Sequence, residues 1–268
     1  MGRDPPMEEW EQTFGTDLRP HLIPPGQPDA IRRPAGADQL PPGAVAALSA
    51  AIGRYSPQDL LTVPGAARSC GWLRHRFVYT PPCVLGLGDR AVALWVQSLP
   101  EPGIRALVPL GEIAAIALHV HGTRRHLLVT GSAGRLPVRY DVADDPVMDT
   151  LIIRLRRRAA GHPAPVPPVA ARFAGLLRLD PADELATAGP KTRLIVVTPY
   201  ELVALRPGRV LYVPRHAIQA ASIRSGSLVL RSAGVDLDLR LRPRKTAAAA
   251  VTWLERVPGD HHRSGTSS

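Results

Sequence analysis

Apolar and polar positions along this chain follow two alternating periods. From about Trp72 to Val142 the runs WLRHRFVY, VLGLGDRAVALWV, IRALVPL, IAAIALHV, HLLVTG and RLPVRYDV are short, β-rich and split by turn residues. In the last run Leu136, Val138, Tyr140 and Val142 share one face, and Arg135, Pro137, Arg139 and Asp141 share the other. That alternation predicts a half-buried antiparallel strand. The period then lengthens. Asp145-Pro146 predicts a helix start, with Val147, Met148, Leu151, Ile152 and Leu155 on a broad apolar face. Arg154, Arg156, Arg157 and Arg158 load the last turns, where the helix dipole favours cations, and Gly161 is the expected stop.

The second half repeats this programme. RFAGLLRLD, RLIVVT, ELVALRP, VLYVP, IQAASIR, SLVLRSAG and VDLDLRLRP read as short strands. In VDLDLRLR, Val235, Leu237, Leu239 and Leu241 alternate with Asp236, Asp238, Arg240 and Arg242. A helix is expected from about Thr246, with Ala247, Val251 and Leu254 on its face. The correspondence extends to residues. VPLGEIAAI at 108–116 and VPRHAIQAA at 213–221 both read V-P-x-x-x-I-x-A. Val92-Ala93-Leu94 answers Val203-Ala204-Leu205, and Ser132-Ala133-Gly134 answers Ser232-Ala233-Gly234. Length differences fall in the turns, notably a longer loop at 95–107, as a duplicated domain should show.

A run of antiparallel strands followed by one helix, twice over, resembles the bacterial pleckstrin-homology-like barrel. VLGLGDRAVALW and LIVVTPYELVAL are similar to that family's hairpin of two apolar runs around Thr-Asp-Arg. Gly88-Asp89-Arg90 keeps the Asp-Arg, and Thr198-Pro199-Tyr200 keeps the Thr. The resemblance covers roughly 70–160 and 172–258. It implies a mainly β fold with terminal helices (α+β): two tandem pleckstrin-homology-like (PH-like) barrels, each closed by a C-terminal amphipathic helix that removes the open edge of the sheet. The expected organisation is a Pro-rich disordered arm at 1–43, a short helix (residues 44–52) with the first barrel domain at 44–160, a Pro-rich linker at 161–171, the second domain at 172–258, and a disordered tail at 259–268.

Composition narrows the function classes. With 268 residues and 45% apolar positions the chain can bury real cores. It contains no membrane-spanning apolar run, and MGRDPPMEEWEQ lacks the apolar core of a secretory signal, so the expectation is a cytoplasmic protein, at most membrane-peripheral. Cys70 and Cys83 are expected to be free, buried thiols. The formal charge of +10 comes almost wholly from arginine, in an Ala-, Pro- and Gly-rich chain. That excess has two sources to separate: an anionic partner, or GC-rich coding.

The search for chemistry finds no catalytic constellation and implies no cofactor. Gly86-Leu87-Gly88 lacks the third glycine and the helix of a dinucleotide fingerprint. Gly131-Ser132-Ala133-Gly134 is a turn, because its counterpart recurs in the second copy. His119, His121 and His126 could face one another across a hairpin, but Arg124 and Arg125 would repel a metal cation, so no metal site is expected. Asp236 and Asp238 read as a solvated face cross-paired with Arg240 and Arg242. The candidate anion-binding residues are Arg74 and Arg76, Arg124 and Arg125, and Arg242, Arg244 and Lys245. The functional expectation is a non-enzymatic interaction or adaptor protein binding an unidentified protein partner. A peripheral protein meeting anionic lipid headgroups through basic loops is the alternative. Nucleic-acid binding ranks third, because aromatic residues are only 4% of the chain, few for base stacking.

Overall fold

The computed structural model describes residues 12–15, 30–70, 76–97, 101–161, 186–188, 195–225 and 227–239, together with residues 248, 251, 252 and 254. Its elements are β1 (Gln12–Gly15), α1 (Ala44–Ile52), β2 (Leu60–Val63), β3 (Ala66–Cys70), β4 (Arg76–Thr80), β5 (Cys83–Leu87), β6 (Ala91–Val96), β7 (Gly103–Pro109), β8 (Ile113–His121), β9 (Arg124–Gly131), β10 (Gly134–Asp141), α2 (Asp145–Ala160), β11 (Ala186–Ala188), β12 (Ile195–Val197), β13 (Glu201–Arg206), β14 (Arg209–Pro214), β15 (Ile218–Arg224), β16 (Ser227–Ser232) and β17 (Val235–Leu239). Two compact units result, and neither is a continuous stretch of sequence. The first draws on 1–110, 122–126 and 133–155, the second on 111–121, 127–132 and 156–268.

In the first unit, α1 presents Ala44, Leu48 and Ile52 at spacings of four, so they stack on one helix face. That face is buried against Val84, Ala91, Ala93 and Trp95 of the antiparallel sheet β2-β5-β6-β7. The helix end docks on the β5–β6 hairpin. The Arg90 N–H donates to the Ile52 carbonyl at 3.1 Å, and the Asp89 N–H donates to the Arg54 carbonyl at 2.9 Å. The Arg54 N–H donates back to Asp89 Oδ1 at 2.9 Å. These bonds satisfy backbone groups that a helix terminus leaves open. Gly88 permits the approach, because a Cβ there would run into the Ile52 carbonyl. The Gly86-Leu87-Gly88 run is thus a packing feature, and Gly88-Asp89-Arg90 a structural turn.

A second sheet of the first unit runs β1-β4-β3. Part of the proline-rich arm is built into this unit. Gln12–Gly15 pairs with β4, and Arg32 pairs with Thr62 of β2. Ile31 and Leu40 are buried, and the Ile31 N–H donates to Asp144 at 3.0 Å. The fully buried Asp59 accepts from the Ser56 N–H at 3.1 Å and pairs with Arg154 of α2 at 2.7 Å. A buried carboxylate must be paired in this way.

The second unit has two facing sheets. One runs β9-β8-β14-β13-β12-β11, the other β15-β16-β17. Their shared core holds Ala115, Ala117, Ile195, Val197, Leu202, Ala204, Leu211 and Val213 on one side and Leu228, Leu230 and Leu239 on the other. Ala248, Val251, Thr252 and Leu254 are helical, and Val251 and Leu254 pack on this core, as the periodicity after Thr246 predicts.

The expectation of two tandem PH-like barrels, each closed by its own helix, is overturned. The sheets are open, and among the described residues no barrel closes. Strand β8, from the first copy, pairs antiparallel with β14, from the second, with Arg209 opposite His119 and Tyr212 opposite Ile116. The cause lies in β8 itself. Ile113 to Leu118 are all buried, so both faces of the strand are covered. The alternating pattern of a barrel strand, one face to a core and one to water, is missing there. What does recur is the local programme. Each copy has a strand ending in proline, a single 3₁₀ turn (Leu110–Glu112 and Arg215–Ala217), and then three strands. The turn bonds recur as well: Gly88 to Ala91 at 2.9 Å answers Thr198 to Glu201 at 2.9 Å, and Leu110 to Arg90 at 2.9 Å answers Arg215 to Tyr200 at 2.8 Å.

Gly88→Ala is expected to lower stability by about 1–3 kcal/mol, the usual cost of forcing atoms into a packed site. Gly111→Ala, where an added Cβ meets nothing within 4 Å, should change it by less than about 0.5 kcal/mol. Urea unfolding midpoints of the two variants measure the difference.

Candidate functional site

The β8–β14–β13 ladder brings together groups that lie far apart in sequence. Arg206 of β13 is directly opposite Arg209 of β14, and Arg209 is directly opposite His119 of β8. Directly paired residues project to the same face, so the three side chains form a row across three neighbouring strands. His121, two residues after His119, falls on that face as well. The preceding row on the face is Ala204, Leu211 and Ala117, which belong to the core. The cationic row therefore begins where the core between the two sheets ends. The strand ends are fixed by Gly208, in the left-handed region at φ 68°, whose carbonyl accepts from the Val120 N–H at 2.8 Å.

Electrostatics mark this row as costly. Burial and the neighbouring Arg206 charge hold the Arg209 guanidinium below the ordinary arginine value. Burial, then Arg209, then His121, push the His119 imidazole below its usual value. Arg209 Nε is buried without a hydrogen-bond acceptor among the described residues. One Arg206 nitrogen donates to the Asp238 carbonyl of β17 at 3.1 Å. Like charges placed directly opposite each other destabilise a sheet.

The other face of the same strands carries a compensated charge. Arg156 of α2 is buried and makes two hydrogen bonds to the Glu201 carboxylate, one of them from Nε at 3.2 Å. Its guanidinium carbon lies 3.9 Å from the centre of the fully buried Tyr212 ring. In the sequence, Arg156 is placed only among the arginines of the last helical turns, where the dipole favours cations. It follows Ile152 by four and precedes Ala159 by three, which places it on the buried helix face. Thr198 organises the turn into β13, its hydroxyl accepting from the Tyr200 and Glu201 N–H groups at 3.2 and 3.0 Å.

Of the residues anticipated from sequence, Arg76, Arg124 and Arg125 are among the described ones. Arg124 is exposed beside the β8–β9 turn. Arg125 is engaged: it donates to the Gly122 carbonyl at 2.7 Å and pairs with Asp145 at 3.4 Å. Arg76 lies in β4. Arg74, Arg242, Arg244 and Lys245 lie outside the described residues. Asp236 and Asp238 are exposed on β17, opposite Arg231 and Val229. Among the described residues no group of three His, Cys, Asp or Glu side chains is placed to hold a metal ion. Burial pushes the Cys83 thiol up to about 12, which makes it an inert core residue. The sequence reading missed Arg206 and Arg209. The available signal was Arg206-Pro207-Gly208-Arg209: a two-residue turn sets its flanking arginines opposite each other.

Among the described residues no helix is long and apolar enough to cross a membrane. Compared with known proteins, the chain matches no protein-family model and no curated sequence.

Two outcomes are expected. Glu201→Ala leaves the buried Arg156 without its counter-charge and should cost about 3–5 kcal/mol in urea unfolding. The His119 value is lowered on folding, so its contribution to stability is full above the ordinary imidazole value near 6.5 and is lost as pH falls from there. Stability measured from pH 7.5 to 5 should therefore decline. His119→Gln should make the decline shallower, and His216, lowered in the same direction, should supply what remains.

Proposed function

We propose that the protein is a non-enzymatic interaction module that binds a protein partner through strand addition in its second unit. The observation carrying this reading is the open edge of β15. In the sheet β15-β16-β17, among the described residues, β15 is paired on one side only. Open edges present backbone donors and acceptors in a row, and proteins usually blunt them with charges, prolines or bulges. On β15 the irregularity in register sits at its start, between Ile218 and Ala220, and its one charge, Arg224, sits at its end. Ala220-Ala221-Ser222-Ile223 between them is uncharged, with Ala220 and Ser222 exposed. Such an edge accepts an extended segment by main-chain hydrogen bonding, with alternate side chains setting specificity. The opposite edge, β17, carries the exposed Asp236 and Asp238 and the Arg206 contact to its backbone.

The test is affinity capture from the source cell with the wild-type chain and with an Ala220→Lys/Ser222→Lys variant. A protein retained by the wild type should be lost from the variant by at least about tenfold. Its addition should protect the backbone amides of 220–224 from hydrogen exchange. Equal capture by both chains, or unchanged exchange at 220–224, would show the reading to be wrong. So would binding confined to anionic vesicles or to nucleic acid.

A further inference from the structure

We infer that the row of Arg206, Arg209 and His119 is a binding site for a phosphate-class anion carrying at least two charged groups. The site is separate from the β15 edge and does not depend on it. Neighbouring strands lie about 4.8 Å apart, so the row extends about 10 Å along the end of the core. An oxyanion lying across it would meet two guanidinium groups and one imidazole. Each guanidinium presents donors as a planar fork suited to phosphate oxygens. A single carboxylate engages one fork and leaves the neighbouring charge unmatched. A pyrophosphate-like group places charged oxygens at the spacing of adjacent strands.

Three observations support this assignment. Arg209 Nε is buried and has no acceptor among the described residues, so an oxyanion would complete its hydrogen bonding. Register places the three groups side by side, with no carboxylate of these three strands at the same level. The acid on the element packed next to them is Asp238, whose carbonyl takes one Arg206 donor and holds that guanidinium at the sheet end. Scattered compositional arginine does not produce such a row, and an anion accepting from the buried Arg209 Nε would offset the hydration that atom lost on folding. The Gly208 hairpin and its bond to Val120 hold the strand ends in place before any ligand arrives.

The experiment titrates the full wild-type chain with sodium pyrophosphate and with inorganic phosphate at constant ionic strength, following backbone amide resonances. Pyrophosphate should bind at least about tenfold more tightly than phosphate, and the shifts should centre on His119, Val120, Gly208 and Arg209. Arg209→Gln should weaken binding at least about tenfold, and Arg209→Lys should recover only part of it. Arg105→Gln, at an exposed position of β7 away from the row, should bind as the wild type does. Sedimentation with phosphatidylserine and phosphatidylinositol-phosphate vesicles separates the sources. Arg209-dependent binding to free pyrophosphate assigns a soluble ligand, and Arg209-dependent binding to phosphorylated lipid alone assigns a headgroup. The absence of both forms of binding would overturn the site. Equal weakening by Arg209→Gln and Arg105→Gln would do so too, by showing diffuse charge rather than a built row.

Discussion

The second unit depends on one pairing, that of β8 with β14. A strand whose Ile113 to Leu118 are all buried cannot serve as a sheet edge facing water. It needs hydrogen-bonding neighbours on both sides and apolar cover on both faces. Strand β14 supplies one neighbour, in a register running from Arg209 opposite His119 to Tyr212 opposite Ile116. That register sets everything downstream of it. It places Ala117 beside Leu211 in the core, Tyr212 on the opposite face under Arg156, and His119 beside Arg209 at the end of the ladder. A slip by one residue would exchange the two faces.

Charge is handled in opposite ways on the two faces. Arg156 is buried with a counter-ion, two hydrogen bonds and an aromatic ring, so each part of its desolvation is offset. Arg209 is half-buried beside Arg206 and His119, and its Nε has no acceptor among the described residues. The same strands thus hold one charge in a finished structural setting and another in an unfinished one. On the inference drawn above, the second kind is kept for binding, because a polar group left unmatched in the folded chain is matched when a ligand arrives.

Much of the local structure was legible in the sequence. The helix over 44–52, the helix starting at Asp145 and ending at Gly161, and the repeated step at Val108-Pro109 and Val213-Pro214 are all present. Each follows from interactions between near neighbours: helical spacing of Ala44, Leu48 and Ile52, a glycine at φ 70°, and a proline that ends a strand before a 3₁₀ turn. Legibility stopped at Arg156, whose four-residue spacing from Ile152 was outweighed by its charge, and at Arg209, which has no distinguishing neighbour in sequence except Arg206 across the turn.

The sequence by itself determined the strand-rich character, the two copies of one local programme, and the places where helices begin and end. Those properties arise from periodicity and turn chemistry within a few residues. Only the tertiary structure decided that β8 pairs across the two copies, that the sheets stay open, and that His119, Arg206 and Arg209 meet. Strand pairing is a choice among many partners of similar pattern, and the two halves of this chain carry similar local patterns. What selects the partner is burial of both faces of β8 at once, a condition on the assembled sheet rather than on any one segment.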